Sequence, residues 1–366
     1  MMKRKDKPDY VLMVTTLLLL VIGLIMVYSA SAIWADYRFH DSFFCLKRQL
    51  LFASIAIAVM LFVMNVEYWV WHKRSKVLLI ICFILLIIVL IPGVGLVRGG
   101  ARSWLGIGAF SIQPSEFMKI AMIIFLARFL TEHQKRITSF RKGLLPSLSL
   151  VFLAFGMIML QPDLGTGVVM VGTCIVMIYI AGAKLSHFFT LGLVGLAGLV
   201  SLIISAPYRI QRITSFLDPW SDPLGSGFQI IQSLYAIGPG GIMGLGLGQS
   251  RQKFFYLPEP QTDFIFSILA EETGFLGGAF VLLLFCIMLW RGIRIASHAP
   301  DAFGSYLAVG IVGMLVIQVV INVSVVTGLM PVTGITLPFL SYGGSSLTLM
   351  LGSVGILLNI SRYAKY

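Results

Sequence analysis

The sequence predicts an all-α, polytopic membrane protein with about ten transmembrane helices. Of its 366 residues, 58% are hydrophobic and 11% are charged, and the mean hydropathy is +0.94. A soluble globular chain of this length is much less apolar. Ten apolar segments, most near the ~20 residues that a membrane span needs, lie at about 10–32, 48–65, 77–92, 115–130, 144–160, 165–182, 187–206, 264–290, 304–326 and 345–360.

The first apolar segment resembles a signal peptide, because four basic residues precede it and Ala30-Ser31-Ala32 follows it. Its apolar run, from Val11 to Val27, is longer than the ~7–15 residues of a cleaved segment. We therefore expect an uncleaved first helix that follows a short N-terminal tail, residues 1–9.

The basic residues indicate how the chain is oriented. The formal charge of +12 does not indicate a nucleic-acid partner, because the basic residues form short clusters between apolar segments. If the tail 1–9 is cytoplasmic, the inner loops hold most of them, including Lys73, Arg74, Lys76, Lys135, Arg136, Arg141 and Lys142. The positive-inside rule then predicts that both termini are cytoplasmic.

One connection is much longer than the others. Residues 207–263, between the seventh and eighth predicted helices, form a large loop that this topology places outside the cell, and no soluble domain is appended to the single membrane domain 1–366. Loops of such length usually have a function. Within it, Phe228, Ile231, Leu234 and Tyr235 share a helical face, which predicts a short interfacial or re-entrant helix that stops at the glycines from 238.

No cofactor motif is evident. The chain has no GxxxxGK[ST] phosphate loop, and the glycines of residues 238–250 follow no predicted strand, so neither an ATP site nor a dinucleotide site is expected. Its five histidines are isolated and its four cysteines lie far apart, without metal-ligand spacing. A divalent cation that accompanies a phosphorylated substrate remains compatible with the sequence.

Asp263 is the leading catalytic candidate. It ends the long loop and precedes the apolar run FIFSIL, so its carboxylate could simply cap that helix. It could equally serve as a base at membrane-surface depth, taking a proton from a hydroxyl. Glu271 and Glu272 lie about 12–14 Å deeper along the helix, where carboxylates need partners or a hydrated cavity.

Glu116 and Lys119 are spaced i,i+3 on the fourth helix, after Pro114 at its first turn. An ion pair that only holds helices together explains this spacing. Intramembrane charges more often mark functional cavities, and we favour a pair that lines a cavity and contacts substrate.

Several basic residues lie in loops that are predicted to be external, against the usual charge bias. These are Arg102 in one loop and Arg209, Arg212, Arg251 and Lys253 in the long loop. They are candidates for binding phosphate, and contact with lipid headgroups is the alternative for each.

Two further polar groups lie at external helix ends. Ser345 and Ser346 start the last helix with hydroxyls and free backbone N–H groups, which suit an anion or a sugar as well as an ordinary cap. Asp163 follows the fifth predicted helix. It is either a turn residue or, besides Asp263, a second carboxylate of the substrate pocket.

Four motifs resemble those of the SEDS family, the shape, elongation, division and sporulation proteins. They are PSEFMK, QPDLGT, YLPEPQTDFIF and TLPFLSYGGSS, and they occur in the family's order over nearly the whole chain. The resemblance implies a ten-helix glycosyltransferase of the bacterial cytoplasmic membrane that polymerises lipid II into peptidoglycan, for division or for the spore cortex. It also implies a class B penicillin-binding protein as partner transpeptidase.

The resemblance also assigns roles to residues. The family's essential aspartate maps onto Asp263, and its fourth-helix Glu and Lys map onto Glu116 and Lys119. The implied reaction is inverting, with Asp263 as base or orienting group and cationic side chains at the departing diphosphate. A flippase that moves the lipid-linked precursor, or a non-catalytic scaffold for the transpeptidase, are the alternatives.

Overall fold

The computed structural model of the protein describes residues 6–98, 101–107, 110–204, 210 and 214–364. Its helices are α1 (Tyr10–Phe39), α2 (Phe44–Asn65), α3 (Trp69–Leu90), α4 (Pro114–Glu132), α5 (Leu145–Met159), α6 (Leu164–Ile180), α7 (Leu185–Ile204), α8 (Phe228–Gly240), α9 (Ile265–Ser297), α10 (Ala302–Val326) and α11 (Gly344–Ser361). Short 3-10 turns lie at Gln134–Arg136 and Pro219–Ser221, and a π-helical turn lies at Phe140–Leu144.

The ten predicted apolar segments coincide in order with α1–α7 and α9–α11. Within the described ranges, α1, α2, α9, α10 and α11 are long and apolar enough to cross a membrane. Helices α5 and α6 are apolar but shorter, with 15 and 17 residues. The chain is a multi-pass, α-helical membrane protein, as the sequence predicts.

A three-stranded antiparallel sheet precedes α4, where the sequence suggests only a loop. Its strands are β1 (Leu96–Arg98), β2 (Ala101–Ile107) and β3 (Phe110–Ile112), in the order β1-β2-β3. Leu96 pairs with Trp104, and Leu105 pairs with Ile112. Two of these strands have only three residues, and β2, ARSWLGI, has no strict apolar alternation, so the pattern that would reveal the sheet is missing.

Helices α2 and α11 approach closely through glycines. A Cβ atom at Gly355 would lie 2.6 Å from the carbonyl oxygen of Met60, and one at Gly344 would lie 2.5 Å from the ring of Phe52. Small residues at such crossings let helix backbones pack tightly in membranes. The contact fixes the start of α11 beside α2.

Polar contacts tie the helix ends together on the side of the bundle that carries both termini. Asp9 caps α1 by accepting the N–H of Leu12, and its other oxygen lies 2.6 Å from Arg291 Nη2. The Tyr68 hydroxyl donates to Asp301 at 2.6 Å. Burial, and then the bond to Asp301, raise the pKa of the Tyr68 hydroxyl, so this group stays a proton donor.

Helix α9 is broken at Gly274, whose φ of +66° is open to glycine and strained for other residues. The loop after α8 bonds to the backbone on both sides of the break. Phe275 and Leu276 donate to the carbonyls of Gly241 and Ile242, while Leu245 and Gly246 donate to those of Glu271 and Glu272, at 2.8–3.2 Å. The break is therefore satisfied by main-chain hydrogen bonds from a neighbouring segment.

The predicted short helix exists as α8. Its buried residues are Ile230, Ile231, Ser233, Ala236 and Gly240, so the predicted apolar face is buried at Ile231, whereas Tyr235 is 50% exposed. Ser233 Oγ lies 2.7 Å from Ser267 Oγ, and a Cβ at Gly240 would lie 2.1 Å from Ala270 O. Close approach to α9 thus requires small residues on the buried side of α8, in addition to the apolar ones.

Candidate active site

Asp263 lies immediately before α9, half-buried, at the end of the bundle opposite to the termini. Helix α9 begins at Ile265, and Phe264 is its N-cap residue. The Phe264 side chain makes no capping hydrogen bond. Thr262 Oγ1 donates to Asp263 Oδ1 at 2.8 Å. Phe264 thus occupies the N-cap position that one interpretation gives to Asp263. The Asp263 carboxylate is instead oriented by Thr262.

Asn322 holds the main chain at Asp263. Its Nδ2 donates both to Asp263 O at 2.7 Å and to Ile335 O at 2.8 Å, and the residue is 1% exposed. The bridge joins the loop that ends at Asp263 to the segment between α10 and α11. Sequence reasoning missed this residue, although an asparagine within an apolar helix is a signal for it.

The segment before α11 is bound from two sides. Tyr342 N donates to Gln261 O at 2.8 Å. On α2, Gln49 donates through Nε2 to Ser341 O and accepts from Gly343 N, both at 3.2 Å. The glycine-rich motif is therefore a fixed part of the site, and Gln49 is a second residue that the sequence did not single out.

Glu116 and Lys119 form the ion pair that their spacing predicts. Glu116 Oε1 lies 2.7 Å from Lys119 Nζ, and the two residues are 7% and 2% exposed. Ser346 Oγ of α11 donates to the other carboxylate oxygen at 3.3 Å. This α4 pair, as we call Glu116 and Lys119, thus sits at the junction of α4 with α11, and one of the two predicted serines reaches it.

Asp163 belongs to the same end of the bundle. It is the N-cap of α6, because one carboxylate oxygen accepts from Thr166 N at 3.2 Å. The other accepts from Gln113 Nε2 at 2.8 Å and Ser115 Oγ at 2.9 Å, both at the start of α4. Asp163 is therefore a turn residue that also links α6 to the helix carrying the α4 pair.

Ser345 lines an apolar pocket of about 410 Å³ between α2, α4, α11 and the small sheet. Phe52 and Ile55 of α2, Leu105 of β2 and Phe117 of α4 are among its other walls. The pocket adjoins the junction where Ser346 meets Glu116. An apolar cavity next to a buried ion pair suits an amphipathic substrate.

The predicted basic residues are not equivalent in the structure. Arg102 lies in β2, and its Nε is buried without a hydrogen-bond partner within the described ranges. Arg251 is exposed. Lys253 is 7% exposed and its Nζ is bound, 2.6 Å from Gly248 O and 3.2 Å from Glu272 Oε1. Arg209 and Arg212 lie outside the described residues.

Lys253 is part of a buried acidic cluster, which comprises Ser29, Ser250, Lys253, Glu271 and Glu272. Glu271 accepts from Ser250 Oγ at 2.5 Å and from the backbone N–H of Arg251 at 2.8 Å. Ser29 Oγ of α1 donates to Glu272 at 2.6 Å. Glu271 and Glu272 are each 1% exposed. The cluster fixes residues 248–253 against α1 and α9, which makes Lys253 a poor candidate for direct phosphate contact.

Hydrogen bonds lower the pKa of two carboxylates in loops, Asp222 and Asp41. The backbone N–H and hydroxyl of Ser226 bond to Asp222 and lower its pKa. The Lys47 ammonium, 2.8 Å from Asp41, lowers the pKa of that carboxyl.

Across the part of the chain that the structure describes, no group of three or more His, Cys, Asp or Glu side chains converges as a metal site.

Comparison with known sequences places the chain in a family. The family model FTSW_RODA_SPOVE, described as "Cell cycle protein", matches residues 10–366. The chain is 71% identical over 366 residues to "Stage V sporulation protein E" of Bacillus subtilis (strain 168), covering 100% of both chains. It is 44% identical over 360 residues to "Probable peptidoglycan glycosyltransferase FtsW" of Geobacter sp. (strain M18), covering 98% of both.

Two solved structures share the fold. The structure described as "Structural coordination of polymerization and crosslinking by a peptidoglycan synthase complex" matches with a TM-score of 0.80 and 32% identity, over 97% of this chain and 98% of the other. The rod shape determining protein RodA of Thermus thermophilus matches with a TM-score of 0.72 and 27% identity, over 97% of each chain. The resemblance seen in the motifs is thus confirmed along almost the whole sequence, and the chain belongs to the SEDS family of FtsW, RodA and stage V sporulation protein E.

Proposed function

We propose that this chain is a peptidoglycan glycosyltransferase that polymerises lipid II at the outer face of the bacterial cytoplasmic membrane. One observation carries the proposal. In a chain 44% identical to a relative named as a probable peptidoglycan glycosyltransferase, Asp263 is held by Thr262 and Asn322 at the end of the bundle that also carries the α4 pair. A positioned carboxylate and a buried cation at the same end of the bundle suit glycosyl transfer from a diphosphate.

The proposed reaction is a direct displacement. The 4-hydroxyl of one lipid-linked sugar attacks the anomeric carbon of the chain carried on polyprenyl diphosphate, with inversion. Asp263 accepts the hydroxyl proton as the new C–O bond forms. The bond from the anomeric carbon to the diphosphate oxygen breaks, and the diphosphate departs with the electron pair. No nucleotide is consumed, because the substrate carries the activated bond.

Cationic groups stabilise the departing diphosphate in this scheme. Lys119 is buried and oriented by Glu116, and Ser345 and Ser346 lie beside that pair. Arg102 has a buried Nε without a partner within the described ranges, so it can donate to a phosphate oxygen. Arg209, Arg212 and Arg251 are further candidates from the long loop, while Asp163 and Lys253 act by holding the surrounding segments.

The apolar pocket beside Ser345 is suited to the lipid part of the substrate, because its walls are aromatic and aliphatic. A divalent cation would enter with the diphosphate and reduce its negative charge. Chelation with EDTA, followed by addition of Mg²⁺ or Mn²⁺, measures whether polymerisation needs it.

We propose the predicted orientation, with both termini in the cytoplasm and residues 207–263 outside. The end of the bundle with Asp263 then faces the side where glycan strands are assembled. We also propose a class B penicillin-binding protein as partner, because a structural relative is described as a peptidoglycan synthase complex that coordinates polymerisation and crosslinking. The two enzymes would act in sequence on one strand.

The test is polymerisation of purified lipid II by the Asp263→Asn variant in detergent or liposomes. We expect no polymer from a variant that keeps the wild-type thermal stability, because an amide cannot accept the proton. Asp218→Asn is the matched control, since Asp218 is an exposed carboxylate of the same long loop. It should polymerise as the wild type does.

Full polymerisation by Asp263→Asn would overturn the catalytic assignment. The flippase and scaffold alternatives have separate readouts. A flippase would move lipid II across sealed vesicles without any polymer forming, and a scaffold would stimulate the transpeptidase even as Asp263→Asn. Neither of these activities is expected of the isolated wild-type chain.

A further inference from the structure

Asn322 is a buried polar residue in the apolar helix α10, and its amide nitrogen spends both hydrogens on main-chain carbonyls. Nδ2 donates to Asp263 O at 2.7 Å and to Ile335 O at 2.8 Å, and the residue is 1% exposed. A primary amide has two N–H donors on its nitrogen. The two bonds therefore fix this side chain and leave it no donor for a substrate.

Stability alone does not account for an asparagine at this position. The Asn322 Oδ1 atom is buried and has no hydrogen-bond partner within the described ranges. A buried acceptor without a donor is unfavourable, and such a group in a native structure calls for an explanation. An apolar side chain would fill the same space without that cost, so the value of Asn322 lies in the two bonds that it makes.

A second bridge lies beside the first. Tyr342 N donates to Gln261 O at 2.8 Å, so the end of the long loop is joined twice to residues 335–343, which we call the connecting segment. Two bridges fix both the position and the direction of a chain, whereas a single bridge leaves it free to pivot. Without Asn322, the main chain at Asp263 could turn about the bridge at Gln261.

Each of the two bridged segments contains a residue with a strained backbone. Phe339 has a φ of +65° and Glu259 a φ of +45°, a region that few residues other than glycine adopt. Such conformations persist only where the surrounding contacts over-determine them, and they cluster at functional sites. The packing around the connecting segment is tight, because a Cβ added at Gly23 of α1 would overlap the Phe339 carbonyl. The two segments are therefore preorganised.

The connecting segment also leads to the α4 pair. Gln49 of α2 binds its last residues at 3.2 Å, and α11 begins directly after it. In the first turn of α11, Ser346 Oγ donates to Glu116 of the α4 pair at 3.3 Å. A short path thus runs from Asp263 through Asn322 and the connecting segment to the α4 pair.

We propose that Asn322 is a positioning residue for glycosyl transfer, which sets the Asp263 carboxylate relative to the α4 pair through the connecting segment. The proposal rests on the proposed function, because that function makes Asp263 the base. Asn322 acts through the main chain of Asp263 and does not touch the substrate. A misplacement of about 1 Å at a reacting group can lower a rate by about a hundredfold. Asn322 should therefore affect the chemical step and leave the binding of lipid II unchanged.

The test measures the kinetics of lipid II polymerisation by purified Asn322→Ala, at a temperature where every variant is folded. We expect kcat to fall by about tenfold to a hundredfold, while KM for lipid II stays within about twofold of the wild type. Asn359→Ala is the matched control. Asn359 is also a buried helical asparagine, and it binds Met64 O at 2.8 Å and Tyr68 N at 2.9 Å at the opposite end of the bundle. Its loss should lower the unfolding temperature but not kcat.

Asn322→Ser covers the case in which the alanine variant does not fold. The serine hydroxyl can bond to a carbonyl of its own helix, so it leaves no polar group unpaired, yet it cannot bridge both segments. It should show the same fall in kcat.

Thr262→Val gives a further measurement, because Thr262 orients the same carboxylate. Groups that act as a unit have non-additive effects. The double variant Thr262→Val with Asn322→Ala should therefore lose about as much activity as the more damaging single variant, and less than the product of the two losses.

Wild-type kcat in both Asn322→Ala and Asn322→Ser would overturn the proposal. So would an equal fall in Asn359→Ala, a rise in KM that accounts for the whole effect, or losses that multiply in the double variant. Asp263→Asn separates this proposal from the proposed function. Polymerisation by Asp263→Asn contradicts the function, whereas an inactive Asp263→Asn beside a fully active Asn322→Ala contradicts only the positioning role.

Discussion

Two groups of buried charge among the described residues, the α4 pair and the acidic cluster, differ in their net charge and in the distance between their members along the chain. The α4 pair has one carboxylate and one ammonium three residues apart on a single helix. The acidic cluster has two carboxylates and one ammonium, a formal charge of −1 (one minus two), and joins α9 to residues 250–253 and to Ser29 of α1. The first group orients a helix end, whereas the second holds three segments together.

The difference has an energetic consequence. A buried ion pair that loses one partner leaves a charge without compensation, which destabilises by about 3–5 kcal/mol. In the α4 pair, removing both charges restores a neutral site. In the acidic cluster, removing the single cation leaves two carboxylates, and only backbone N–H and hydroxyl groups remain to stabilise them.

The largest effect is expected for Lys253→Met. The variant leaves Glu271 and Glu272 buried without a cation, so stability should fall by an amount near the upper end of about 3–5 kcal/mol. Thermal unfolding of the purified protein in detergent measures it. Adding Glu272→Gln should recover only part of the loss, because a second buried carboxylate, Glu271, remains; full recovery would contradict a stabilising role of Lys253 toward Glu271.

A somewhat smaller effect is expected for Lys119→Met, since a single carboxylate is left and Ser346 still donates to it. The loss should lie near the lower end of about 3–5 kcal/mol. The double variant Glu116→Gln with Lys119→Met should regain most of the stability but no polymerisation activity. If this double variant polymerises lipid II normally, the α4 pair has no role at the diphosphate.

Gly274→Ala tests the backbone conformation at the break in α9, two residues after Glu272 of the acidic cluster. Its φ of +66° is unfavourable for alanine, and the new Cβ would lie 2.4 Å from Gly244 N. We expect about 1–3 kcal/mol of destabilisation, again read from thermal unfolding. Gly156→Ala in α5 is the control, because no atom lies within 4 Å of its Cβ position; an equal loss there would remove the argument.

A similar effect is expected for Ser29→Ala, which removes a hydrogen bond to the Glu272 carboxylate. Bonds to charged groups contribute about 1.5–3 kcal/mol. Ser31 of the same helix is buried and donates to Val27 O, an uncharged acceptor, so Ser31→Ala should lose about 1 kcal/mol or less. Comparison of the two unfolding temperatures isolates the contribution of the charge.

The comparison also explains what the sequence could predict. Apolar segment length was enough to place ten helices, and i,i+3 spacing was enough to predict the α4 pair, because both depend on residues close together in the chain. The partners of Glu271 lie about 20 residues away, and Ser29 lies 243 residues from Glu272. No local periodicity encodes contacts of that range.

In the candidate site, too, the sequence identified some residues and missed others. Motifs identified Asp263, Glu116 and Lys119, and the structure holds each of them at one end of the bundle. Asn322 and Gln49 were missed because their function is to bond the backbone of distant loops. The packing of α8 on α9 through Ser233 and Gly240 was not predicted either, because small residues give no apolar signal.

The break at Gly274 has a consequence for biogenesis. During membrane insertion, the part of α9 before Gly274 has unpaired backbone groups at its end, which hydrocarbon does not tolerate. Residues 241–246 supply the missing partners, and they are synthesised earlier than α9. These hydrogen bonds can form only after α9 has been synthesised. The helix therefore reaches its final depth only when residues 241–246 bind the backbone on both sides of Gly274.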